Sequence, residues 1–237
     1  DYTNKIAVSV SGGPDSMALC FLASCYKSIK DNKIQILFYL VDHGLRKDSN
    51  HEAKNVKKQL YSKKINLKIL KWTGAKPSSN IQSIARKKRY EILFNECKKY
   101  KIQTILTAHH QDDVYETFFS RLLRGSGTDG LSSFLKIEKK FLYKGKIIKI
   151  IRPLLSISKQ DLTYLTNNIF NFYVKDPSNE MEKFQRVRLR NLISKLKSQG
   201  LDFGKLKLTL NNLSSTNNAI NQIIDKNISE NALFNKN

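Results

Sequence analysis

Acidic residues are scarce in this chain: 20 Asp and Glu face 42 Lys and Arg, a formal charge of +22 over 237 residues. A surface so poor in negative charge points to a polyanionic partner, nucleic acid first. Lysine enrichment alone supplies part of that charge, because 33 of the 42 basic residues are Lys. Cysteine is also sparse. Cys20, Cys25 and Cys97 are odd in number and form no CxxC pair. That argues against a disulfide framework or a zinc cluster and fits a reducing, cytoplasmic setting. No apolar run approaches the roughly 20 residues that span a bilayer, the longest being Ile36–Val41. Neither a signal peptide nor a membrane partner is expected, and no internal repeat is found.

Two nucleotide-binding signatures are missing as well. GxxxxGK followed by Ser or Thr occurs nowhere, and no GxGxxG follows the first apolar segment. What stands there instead is alternation: strand-length segments at Ile6–Val10, Ile34–Val41, Leu67–Leu70 and Thr104–Thr107 are separated by stretches of helical periodicity. This predicts an α/β, Rossmann-like parallel sheet with helices on both faces. Helices are expected over about Pro14–Tyr26, after Ser49, from near Ser79, and over about Asp112–Leu123. In the third, Ile81, Ile84, Ala85, Tyr90, Ile92, Leu93 and Phe94 should form the buried stripe. Arg124–Gly130 reads as a flexible loop and Phe134–Leu155 as a hairpin around Lys144-Gly145. Helices follow from Ser158 and about Glu182. Residues 1–200 form the expected main domain. Residues 201–237 read as a polar helical extension with no core of its own, a linker toward a missing or short C-terminal region.

In such a sheet the first strand-to-helix turn aims backbone N–H groups and a positive helix end at a ligand. Here that turn is Ser11-Gly12-Gly13-Pro14-Asp15-Ser16: glycines for close backbone approach, hydroxyls to donate to an anion, and an Asp suited to a Mg²⁺ bridging phosphates. A plain Gly-rich turn would explain the glycines alone. The second constellation is Ala108-His109-His110-Gln111-Asp112-Asp113 with Glu116 and Thr117. Asp113, Glu116 and Thr117 share a helix face, though one of the Asp pair is expected merely to cap that helix. Asp42 and His43 stand at the end of the second strand. Third, five of only nine arginines fall at Arg121 and Arg124, ahead of Gly125, and at Arg186, Arg188 and Arg190. Guanidinium groups grip phosphate in a fork that Lys does not reproduce.

In this order, SGGPDS, VDHGLR, IARKKRYEIL, AHHQDDVYET, RLLRGSGTDGL, IRPLL, and DPSN followed by RVRLRN resemble the tRNA(Ile)-lysidine synthetases, which carry a PP-loop of the ATP pyrophosphatase superfamily. The resemblance implies an adenine nucleotide alpha hydrolase-like fold. It also implies ligation of L-lysine to the wobble cytidine of a CAU-anticodon tRNA(Ile), with ATP and Mg²⁺ consumed and AMP and pyrophosphate released. Asp15 and Asp113 then become the choices for metal, lysine and proton handling, with Glu116 second and Arg190 beside them in catalysis. Ser11 to Ser16, Asp42, His43, His109 and His110 would hold the nucleotide. Asp112, Arg121, Arg124, Gly125, Arg186 and Arg188 would meet the tRNA. The family carries C-terminal domains beyond this part, so either this is a fragment or tRNA selection rests largely on the catalytic domain; a homodimer is compatible. Three other readings stay open, the first two being another PP-loop tRNA-modifying enzyme and a metal-dependent phosphodiesterase built on His109, His110, Asp112 and Asp113. A basic RNA-binding module with a vestigial nucleotide site is the third.

Overall fold

The computed structural model describes residues 5–30, 34–175 and 185–231. Along the chain run β1 (Lys5–Val10), α1 (Pro14–Ile29), β2 (Gln35–Asp42), α2 (Ser49–Ser62), β3 (Leu67–Lys71), α3 (Ile81–Lys99), β4 (Thr104–Leu106), α4 (Gln111–Leu122) and α5 (Thr128–Ser132). A 3-10 turn (Ser133–Leu135) follows, then β5 (Glu138–Tyr143), β6 (Lys146–Ile151), α6 (Lys159–Phe170), α7 (Gln185–Ser198) and α8 (Phe203–Asn231). The chain divides into two compact units, Asp1–Asp112 with Ile137–Asp176, and Asp113–Lys136 with Pro177–Asn237.

The first unit holds a six-stranded sheet of order β3-β2-β1-β4-β6-β5. All neighbours are parallel except the β5–β6 pair. Successive strand residues point to opposite faces, so Val8, Val10, Phe38 and Leu40 pack with Met17, Leu19, Val56, Leu60 and Leu162 on one side. Ala7, Tyr39, Val41, Ile105 and Ile150 pack with Leu93, Phe94 and Cys97 of α3 on the other. Helices therefore cover both faces, as the alternation predicts. The hairpin at Lys144-Gly145 forms with both residues at positive φ, +47° and +76°, the twist that a two-residue connection favours. Its second strand also joins the main sheet beside β4, with Thr104 opposite Lys149.

Three expectations change. In α3 the buried residues are Leu93, Phe94 and Cys97, while Ile81 and Ile84 at its start are exposed. Only the later part of the stripe packs against the sheet. The Arg124–Gly130 stretch is loop only as far as Gly127, which caps the short α5. Beyond Gly200 the helix is not without a core: Leu206, Leu210 and Asn217 of α8 are buried, although Ile220, Ile223 and Ile224 remain exposed.

In the second unit α8 packs on α5, and Tyr115 of α4 stacks on Phe203, ring centroids 4.7 Å apart. The Asn217 amide donates to Asp129 at 3.2 Å. Among the described residues no helix is long and apolar enough to cross a membrane.

Candidate active site

β1 ends at Val10 and the chain must reverse within three residues to start α1, which demands backbone that only glycine adopts easily. Gly12 has φ +86°, and a Cβ there would lie 2.8 Å from a methyl of Val56 and 3.1 Å from one of Val174. Its carbonyl accepts from Val174 N–H at 2.9 Å, which fastens the turn to the segment after α6. Gly13 caps the helix and Pro14 fills its first position, where no N–H is needed. The buried Ser16 hydroxyl closes the loop: it accepts from Ser11 N–H (3.2 Å), Gly12 N–H (3.1 Å) and Ser11 Oγ (3.1 Å), and donates to the Gly13 carbonyl (3.0 Å). The result is a small, internally bonded glycine turn that opens onto a helix N-terminus, a place suited to phosphate oxygens.

Asp15, the second residue of α1, has Oδ2 3.5 Å from His110 Nε2. Its Oδ1 is buried without a hydrogen-bond partner among the described residues. His110, itself buried, lies 3.7 Å from Asp112 through its other nitrogen. Asp112 also accepts from Lys159 N–H at 3.1 Å and so caps α6. The neighbouring His110 imidazole is the main cause that holds the Asp112 carboxyl below the usual carboxylate range; with the Lys159 N–H it outweighs burial. His109 Nδ1 is 2.9 Å from the Thr107 hydroxyl.

At the end of β2 the buried Asp42 accepts from Gly44 N–H at 3.0 Å, closing its own turn. His43 sits edge-on to Trp72, ring centroids 5.9 Å apart, and Lys76 Nζ lies 4.2 Å above the same indole. Burial first, then Arg89 and Lys76, push the His43 imidazole below its ordinary pKa, against the pull of Asp42. Sequence reasoning missed Trp72, Lys76 and Arg89. The signal for Trp72 was its being the sole tryptophan, one residue beyond β3.

In the second unit, Glu116 is buried and receives a hydrogen bond from Arg190 Nε, while its Oε2 has no hydrogen-bond partner among the described residues. Asp113 and Thr117 are half-buried on α4. Arg121 donates to the Gly130 carbonyl and the Ser133 hydroxyl, and Arg124 to the carbonyl and hydroxyl of Ser120. Gly125 is exposed at φ +70°, and Arg188 is exposed on α7. DPSN and the side chain of Arg186 lie outside the described residues.

Within the first unit, Ser11–Ser16, Asp42 and His43, Trp72, and His109 and His110 thus follow β1, β2, β3 and β4 at one sheet edge, where parallel α/β proteins bind ligands. Fold and turn together define a Rossmann-like α/β protein with a glycine-rich loop between its first strand and first helix. Residues 1–196 match the family model of the PP-loop domain, and the chain belongs to that family.

The chain is similar to curated tRNA(Ile)-lysidine synthases: 35% identical over 220 residues to that of Bradyrhizobium sp. (strain BTAi1), covering 93% of the chain and 60% of the relative. With that of Orientia tsutsugamushi it shares 38% over 192 residues, 81% of the chain and 42% of the relative. The Wolbachia pipientis wMel protein shares 39% over 212 residues, 88% and 47%. The chain thus spans 42 to 60% of the length of these relatives. Among solved structures, a U34-tRNA thiolase from Methanococcus maripaludis superposes with TM-score 0.67 at 19% identity, covering 91% of this chain and 71% of that one. That likeness establishes the fold.

Proposed function

We propose that this chain, residues 1–200 as its catalytic part, ligates L-lysine to the wobble cytidine of a CAU-anticodon tRNA(Ile) in the cytoplasm, using ATP and Mg²⁺. The observation that carries the reading is the Ser11–Ser16 loop at the N-terminus of α1, where the Gly12 conformation lets backbone come close to the phosphates of ATP. The likeness to tRNA(Ile)-lysidine synthases supports the choice of acceptor and amine.

The cytosine C2 oxygen is a poor leaving group. It first attacks the α phosphate; the bond to the β phosphate breaks and pyrophosphate departs, retained by the loop. The lysine amine then bonds to C2, and AMP leaves with the former C2 oxygen. An ε-amine has a reference pKa of about 10.4 and attacks only after losing its proton, a task for a carboxylate.

Asp15 fits Mg²⁺: a hard oxygen donor beside the phosphate loop, with one oxygen buried and unbonded, matches an ion held by one or two carboxylates plus substrate phosphates. Bound there, Mg²⁺ would offset the charge of the departing pyrophosphate. Asp113 is the second proposed ligand and the proposed acceptor of the amine's proton. His109, His110, Asp42 and His43 line the nucleotide, and Arg124, Arg186 and Arg188 meet RNA. Glu116 and Arg190 form a pair in which the guanidinium orients the carboxylate.

Incubation with labelled lysine, ATP, Mg²⁺ and a tRNA(Ile) transcript tests this. Label in RNA with stoichiometric pyrophosphate is the expected result; pyrophosphate without label would assign a different acceptor. Asp113→Asn should abolish labelling while tRNA still binds.

A further inference from the structure

The amino-terminal edge of the sheet, opposite the phosphate loop, holds a cavity of about 180 Å³ lined by Lys98, Lys101, Gln103, Tyr143, Lys146 and Ile147. These residues come from the end of α3, the lead into β4, and the β5–β6 hairpin. Every charged group lining it is cationic. Lys98 and Lys146 are exposed and make no ion pair among the described residues, whereas the acidic neighbours are already engaged: Glu96 with Lys68 at 2.5 Å and Glu91 with Lys88 at 3.0 Å.

Two further features enlarge the site into a surface. The hairpin strands and their turn carry Lys139, Lys140, Lys144, Lys146 and Lys149 against a single acid, Glu138. α3 runs antiparallel to the strands it covers. Its basic residues therefore begin at the ligand edge with Arg86, Lys87, Lys88 and Arg89 and end at the cavity with Lys98 and Lys99. A helix of 19 residues is roughly 28 Å long. The cations of α3 thus gather at its two ends, with Glu91 and Glu96 between them, and those at the far end join the hairpin lysines in one basic patch, broader than a free phosphate fills.

We propose that this far-edge patch, centred on the Lys98–Lys101–Lys146 cavity, binds the phosphodiester backbone of the RNA substrate at a distance from the reacting base. The inference rests on the proposed RNA substrate and adds a second contact to it. Phosphate contacts position RNA without reading its sequence, so the patch supplies affinity and orientation while the base is selected elsewhere.

The test is a triple variant, K98E/K101E/K146E, with K98R/K101R/K146R as the charge-keeping control and K54E/K57E/K58E on the exposed face of α2 as the remote control. Equal thermal unfolding midpoints establish that all fold. Filter binding with full-length tRNA(Ile) transcript should show at least a tenfold rise in Kd for the first variant alone, with a log–log salt slope smaller by about 2 to 3, one phosphate per lysine. Pyrophosphate release at saturating RNA should match the parent. An unchanged Kd, or an equal loss in the α2 variant, overturns the proposal, the latter by showing a diffuse charge effect. Calorimetry with inorganic phosphate that gives stoichiometric binding lost in K98E/K101E/K146E, with RNA affinity intact, also overturns it in favour of a small-anion site. Failure of the proposed activity reads separately, as absence of lysine label in RNA with the parent protein.

Discussion

Gly12 shows how a single backbone position sets the site. Its φ of +86° is strained for any side chain, and the space a Cβ needs is held by Val56 and Val174. Gly12→Ala should lower stability by about 1–3 kcal/mol, seen as a drop in thermal midpoint, and should slow pyrophosphate release further because the loop N–H groups shift. Asp112 makes a pH prediction. Its folded pKa lies below its ordinary value, so its stabilisation is present above roughly pH 4 and is lost as pH falls through the lower folded value. Urea midpoints of the parent should therefore fall more steeply below pH 4 than those of Asp112→Asn, which keeps an acceptor for Lys159 N–H but carries no charge. Glu116 and Arg190 stand on the opposite footing. Removing the guanidinium leaves a buried carboxylate without its partner, so Arg190→Ala should cost about 3 kcal/mol, and Glu116→Gln much less; chemical unfolding of both variants checks the order.

Two of the arginines that the sequence offers as RNA contacts also brace their own elements. Arg121 spans from α4 to the Gly130 carbonyl and the Ser133 hydroxyl, which ties the α4–α5 connection to the 3-10 turn. Arg124 turns back on Ser120. A guanidinium already bonded to carbonyls offers fewer donors to phosphate. Arg121→Ala should accordingly speed amide exchange across residues 127–133, as exchange mass spectrometry would measure, before any change in tRNA affinity appears. α3 gives the complementary case. Its apolar residues near the start, Ile81 and Ile84, lie exposed, while Leu93, Phe94 and Cys97 meet the sheet.

For the molecule as a whole, charge and topology act together. If the +22 surface meets RNA, log affinity should fall linearly with log salt concentration; a flat response would reduce the charge to composition. Much of the fold was legible because it is local: strand-length apolar segments, the Gly-Gly-Pro corner, and the Lys144-Gly145 turn each carry their own geometry in the chain. Asp15, Asp42, His43 and His110 were legible as residents of strand ends for the same reason. What the sequence by itself determined is the alternation of strands and helices and the phosphate-seeking loop, since both depend on neighbours a few residues apart. Only the tertiary structure decided that β6 lies beside β4, that Arg190 faces Glu116 across 74 residues, and that Lys98, Lys101 and Lys146 converge. Those arrangements depend on how distant segments share buried surface, and no local pattern encodes which of them will meet.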